Sequence, residues 1–385
     1  MRDSLKSEAL MYATSVSQSN ILRLSNWGLL RSLCMLAVVV VHCGSYLGPL
    51  VGIDAGRIAS SAAILCDLII FALSGYFGIR PLKTSLSKYY SHKVSTIILP
   101  LVVYSIVLYL YTTGLSGASI HGYIAYFSDV LTPWWFIPTL IPFLLIAPFL
   151  YWLFEKLSEH QAKNSRNSRV RPHRLRLHLL CSYLGPSELR ARDARPRRRH
   201  PPALCPRGHD SRVGVLYVFL PRLFRSTVAS RTSDATRKKL IVIGLCAWVI
   251  DVACSYFGVD SFDPSFPWLF ATIAVLFMFD RIRITNISVQ RALEWTGRRS
   301  YSIYLLQYTA IAIVAPFAYD TLLAGGIGSF IAPIRLLVWV GVVVGSYALS
   351  LAVASLVDMT LHKLVQVGYD GIAKRAVRWF GTVER

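Results

Sequence analysis

The chain has 385 residues, 54% of them hydrophobic, and a formal net charge of +21. A mean hydropathy of +0.48, concentrated in runs of about twenty apolar residues, is incompatible with a water-soluble globular domain and points to a multi-pass membrane protein. The positive charge suggests nucleic acid, yet residues 161–225 alone, with fifteen Arg, Lys163 and three acids, supply +13 of it. That stretch lacks the interleaved aromatics of single-strand binders, so no nucleic-acid partner is expected.

Residues 1–20 are polar and mixed, without a short apolar core of a signal peptide, so the first span is expected to stay as an anchor. That span covers 27–49 and holds both Arg31 and His42. Eleven residues at 100° each end 20° past three full turns, so the two side chains share one helical face about 16 Å apart. An ionisable residue within a span is costly and by default marks a pathway or a reactive site. The alternative is that Arg31 snorkels to the interface and His42 satisfies a backbone group.

Further apolar runs follow at 58–79, 94–112, 134–154, 240–258, 300–319 and 335–357, with a shorter one at 265–280. Lys and Arg cluster in alternate connections. Arg80, Lys83, Lys88 and Lys93 follow the second run, Arg281 to Arg299 precede the seventh, and Lys363 to Arg378 follow the last. The positive-inside bias then places both termini in the cytoplasm. The seven cysteines form no CxxC pair and no metal-ligand spacing, and five lie in apolar runs as small hydrophobes. Cys43 neighbours His42 but points about 100° away from it, which argues against a nucleophile there.

The stretch 164–236 breaks this pattern. It is rich in Arg, Pro and His, has no clear periodicity, and turns apolar again only over 213–224, too short to span. Topology requires it to cross the membrane zero times or twice. A basic cytoplasmic insertion, a patch for nucleic acid or anionic lipid, and a frameshift that replaced a helix pair are the three readings. The chain thus divides into an N-terminal membrane half at 1–160, an anomalous basic segment at 161–236 and a C-terminal membrane half at 237–385.

Four local patterns resemble the bacterial acyltransferase-3 family in its stand-alone form. These are the Arg31–His42 pair, CDLIIFALSGYF over Cys66–Phe77, WWFIPTLIPFLLIAPFL over Trp134–Leu150, and GRRSYSIYLLQ over Gly297–Gln307. Two departures stand out: Gln307 occupies a position where the family usually carries His, and eight spans are readable where the family has ten. The resemblance implies an all-α polytopic transmembrane helix bundle in the bacterial inner membrane. Its activity would move an acyl group, most simply acetyl, from acyl-CoA to a hydroxyl of a cell-envelope or exported glycan or glycolipid. No permanently bound cofactor or metal is implied; acyl-CoA enters as co-substrate, and the lipid bilayer is the other partner.

By that resemblance His42 is the general base, a task that suits an imidazole near neutral pH. Arg31 cannot deprotonate, so it binds an anion or stabilises charge. Asp67 orients His42 or pairs with Arg31, two roles the sequence leaves open. Arg80 and Lys93 are ordinary positive-inside charges or contacts to the donor phosphates. Trp134 and Trp135 read first as an interfacial aromatic belt, with Trp135 as a sugar-stacking platform second. Tyr304 shares a face with Tyr301 and is a candidate substrate contact beside its default packing role. A non-catalytic transporter and an inactive relative are the competing readings of the whole chain.

Overall fold

The computed structural model describes residues 2–79, 81–82, 85–167, 232–258, 266–322, 332–369 and 371. The first helix, α1 (Arg2–Leu47), is followed by a two-stranded hairpin, β1 (Pro49–Leu50) and β2 (Ile53–Asp54), and then by α2 (Ala55–Ala63) and α3 (Leu65–Gly78). Next come α4 (Leu86–Lys93), α5 (Leu99–Thr113), α6 (Ile120–Val130) and α7 (Phe136–Asn167). After the basic segment follow α8 (Asp234–Tyr256), α9 (Phe266–Asp280), α10 (Ile287–Arg298), α11 (Ser300–Leu322) and α12 (Ala332–Val357). The protein is an all-α polytopic bundle, with seven helical stretches among the described residues long and apolar enough to cross a membrane. The marginal run at 265–280 forms only the short apolar helix Pro267–Asp280. Most of the anomalous basic segment, and Arg80, lie outside the described residues; the segment's ends belong to α7, which runs to Asn167, and to α8, which starts at Asp234.

Bilayer-spanning helices satisfy their own backbone, and at several deviations here a side chain supplies a partner. Pro148 sits inside α7 and has no N–H for the Leu144 carbonyl, four residues back. The Tyr89 hydroxyl donates to that carbonyl at 3.0 Å, and Tyr90 donates to the next, Leu145, at 2.7 Å. A π turn at Val94–Ile98 joins α4 to α5, and Tyr301 donates into it at the Ile97 carbonyl, 3.0 Å away. A second π turn, Asp358–His362, prolongs α12, and its Asp358 accepts from Tyr104 at 2.7 Å and from Ser302 at 3.1 Å. Wide turns of this kind interrupt the regular ladder, and the backbone groups they free can take outside partners.

The core gathers around α1, α3, α5, α11 and α12. One cluster joins Trp27, Leu73, Tyr104, Trp134, Phe277 and Ile303; a second, nearer the end of α1, joins Val39, Cys43, Leu47, Ala315, Trp339 and Val342. Trp134 is only 1% exposed, so it is a core residue and does not belong to an interfacial belt. Its own N–H bonds the Val130 carbonyl, which carries the chain from α6 into α7 with the indole turned inward.

Candidate functional site

The half of α1 that carries His42 is fixed from three sides. Gly44 and Gly56 let α1 and α2 touch backbone to backbone: a side chain on Gly44 would meet Ser60 Oγ at 1.9 Å, and one on Gly56 would meet the Gly44 carbonyl at 2.1 Å. Ser60 uses that closeness to donate to the Val41 carbonyl at 3.1 Å. Trp339 Nε1 donates to the Cys43 carbonyl at 2.8 Å, Tyr319 to Tyr46 at 2.7 Å, and Arg335 to Leu47 at 2.9 Å. The last carbonyls of a helix have no intrahelical donor, and here side chains from α11 and α12 supply them.

His42 is half-buried, and its Nε2 lies 3.1 Å from the hydroxyl of Tyr308 on α11. The two rings pack with centroids 4.4 Å apart. Asp67 sits on α3, which runs back along α1. The Arg31 guanidinium stacks on Phe77 at 4.2 Å, ten residues after Asp67. Ten helical residues span about 15 Å, so Asp67 is level with the part of α1 between Cys34 and His42. Its carboxylate accordingly lies within electrostatic reach of both Tyr304 and Tyr308, and it accepts from Cys66 Sγ at 3.6 Å.

An aromatic wall stands beside Asp67. Phe71, one turn further along α3, packs on Phe136 at 4.5 Å and on Trp135 at 6.0 Å. Tyr304 meets Phe136 at 5.8 Å and donates to the Pro133 carbonyl at 3.3 Å. Tyr304 is 7% exposed and held by packing and by that carbonyl, while Trp135 is half-buried.

Of the residues singled out from the sequence, the fold gathers Asp67, Tyr304 and Trp135, and His42 joins them through Tyr308. Arg31 lies on the same helix but towards the opposite end of the bundle, where Gly28 faces Gly297. Lys93 also belongs to that opposite end: it closes α4, its ammonium 5.5 Å from the Tyr89 ring, next to the π turn that Tyr301 reaches. Arg31 and His42 therefore mark two levels of one helix, as their shared face and spacing require. Ser74 donates to the Ile70 carbonyl at 2.8 Å, in keeping with a close-packing role.

Tyr308 is the residue that sequence reading missed. Tyr301, Tyr304 and Tyr308 recur at i, i+3 and i+7, a single helical seam, and extending the pair Tyr301–Tyr304 by one turn finds it. Gln307, the departure from the family pattern, is 1% exposed, and its Nε2 has no hydrogen-bond partner among the described residues.

Residues 25–160 match the family model described as Acyltransferase domain, a stretch that takes in Arg31, His42, Asp67 and Trp135 and the first four candidate spans. No curated protein and no solved structure matches the chain. The likeness to the acyltransferase-3 family thus covers residues 25–160, about a third of the chain, and supports a membrane acyltransferase in general.

Proposed function

We propose that the chain transfers an acyl group, acetyl in the simplest case, from acyl-CoA on the cytoplasmic side to a hydroxyl of a cell-envelope or exported glycan. The observation that supports this most directly is the half-buried His42, whose Nε2 engages a hydroxyl at 3.1 Å. A base must lie within about 2.6–3.2 Å of the oxygen it deprotonates, and an acceptor alcohol in the place of the Tyr308 hydroxyl meets that condition. His42 takes the acceptor proton, the oxygen attacks the thioester carbonyl, and the departing thiolate takes the proton from His42. Asp67 is assigned to the orientation of His42 through Tyr308, which contacts the imidazole and lies within electrostatic reach of the carboxylate. Arg31, nearer the basic loops, meets the negative charge of the donor, with Lys93 and Arg80 as further phosphate contacts. Trp135 is the surface on which a sugar ring stacks, and Tyr304 lines the approach.

In this reading the protein sits in the bacterial inner membrane with both termini cytoplasmic. The experiment is transfer of radiolabelled acetyl from acetyl-CoA to envelope glycan by membranes carrying the full chain, with His42→Ala beside it. Loss of transfer in the variant at equal membrane abundance supports the assignment; near wild-type transfer removes His42 from the role of base. A second reading is an inactive relative, favoured by the buried amide nitrogen of Gln307, which has no hydrogen-bond partner among the described residues. Transfer absent from the wild-type chain and restored by Gln307→His would select it.

A further inference from the structure

On the far side of α2 from His42, α2 and α8 enclose a groove of about 320 Å³. Ile58 and Ala62 form one wall, and Trp248, Val252, Tyr256 and Phe257 form the other. The polar atoms of both helices are turned away from it. Trp248 Nε1 donates to the Ala62 carbonyl at 3.1 Å, and Ser61 and Ser255 bond each other at 2.6 Å, so the exposed lining is entirely apolar.

A cation stands at the mouth. Arg57 immediately precedes Ile58 and is exposed, and its guanidinium reaches Gly258, the residue after Phe257, to within 3.9 Å of where a side chain would begin. Gly258 ends α8 at φ +73, a conformation natural to glycine, and its bareness leaves room for the guanidinium. Two physical arguments set Arg57 against its surroundings. It occupies the first turn of α2, where the helix dipole disfavours a cation. It also lies at the end of the bundle opposite the Arg- and Lys-rich connections, against the positive-inside bias. Among the described residues the nearby acid, Asp54, caps α2 by accepting from the Arg57 backbone N–H at 3.0 Å, and the guanidinium points towards Gly258.

We infer that this groove is a binding site for an anionic glycerophospholipid, with an acyl chain between Ile58 and Val252 and the headgroup phosphate on Arg57. An aliphatic chain needs an apolar slot without hydrogen-bond demands, and a phosphate needs a cation at its end. The groove and Arg57 supply the two in the order in which a lipid presents them. This site is separate from His42 and does not depend on what the protein catalyses.

Trp248 lines the groove and reports on it. The full chain is reconstituted in phosphatidylcholine vesicles, and phosphatidylglycerol with brominated acyl chains is titrated in. The share of fluorescence quenching that Trp248→Phe removes belongs to the groove. Brominated phosphatidylglycerol is expected to quench that share at about fivefold lower mole fraction than brominated phosphatidylcholine, the preference one Arg confers near an anionic lipid. Arg57→Gln, an exposed substitution, should abolish the preference, and Val252→Trp should remove quenching by both lipids. Phosphatidylglycerol copurifying with the wild type and lost in Arg57→Gln is a second readout that does not need Trp248. Equal quenching by the two lipids, unchanged in Arg57→Gln, would make the groove ordinary bilayer-facing surface and overturn the inference. So would protection from both lipids by a second copy of the chain.

Discussion

Helices α8 and α11 have the same length, 23 residues, yet their environments are opposite. In the apolar window of α11, 56% of residues are buried inside the bundle; in that of α8 the share is 11%. Helix α11 contributes Ile303, Leu305 and Gln307 to the centre and carries Tyr308 to His42. Helix α8 shows Val242, Ile243, Val249 and Ile250 on its open side, and hydrogen bonds tie its inner face. Arg237 bonds the Phe277 carbonyl and meets Asp280 at 3.4 Å, while Asp251 accepts from Trp268 Nε1. In lipid there is no hydrophobic gain in bringing two apolar helices together, so packing and interhelical polar bonds hold them. The α8–α9 pair is tied by polar bonds around Arg237 and Asp251, whereas the functional neighbourhood combines a deeply buried helix with the hydrogen bonds that hold the end of α1.

Perturbing the two regions should therefore give separable losses. The largest effect is expected from His42→Ala, with acyl transfer down about 100- to 10,000-fold, the usual contribution of a positioned base, and membrane insertion intact on protease protection. Next is Gly44→Leu, which drives a side chain into Ser60 and the Gly56 carbonyl. Overpacking of this kind costs about 1–3 kcal/mol, so the thermal midpoint in detergent should fall together with transfer.

On the other side of the comparison, Trp268→Phe removes one donor from the buried Asp251. A hydrogen bond to a charged group is worth about 1.5–3 kcal/mol; the midpoint should drop while transfer per folded molecule, scored by size-exclusion recovery, stays at the wild-type level. An equal loss of specific transfer would show that the two regions are coupled. A smaller effect is expected from Trp339→Phe, which removes the bond to the Cys43 carbonyl at the His42 level. A neutral bond contributes about 0.5–1.5 kcal/mol, and here the turnover rate should fall more than the midpoint does. Arg281→Gln removes only an exposed ion pair with Asp234 and should leave both readouts unchanged.

Much of the architecture was legible because the signals are local. The spans follow from apolar run lengths, and the marginal run at 265–280 does form a helix short of spanning length. The common face of Arg31 and His42 follows from helical period alone. Trp134 was misread as interfacial because a tryptophan near a span end suits both a belt and a core. What decides is the turn between α6 and α7, which points the indole inward.

The sequence by itself determined that this chain crosses a membrane, which residues bear charge inside it, and that the stretch before residue 160 carries acyltransferase patterns. Only the tertiary structure decided that Tyr308, 266 residues from His42, is the hydroxyl on its Nε2. It likewise decided that α11 lies at the centre and α8 at the rim. The reason is physical. A soluble helix reveals its inner face because its outer face is polar. A helix in lipid is apolar on both, and its rotation and neighbours are fixed by close packing and by hydrogen bonds between residues far apart in the chain.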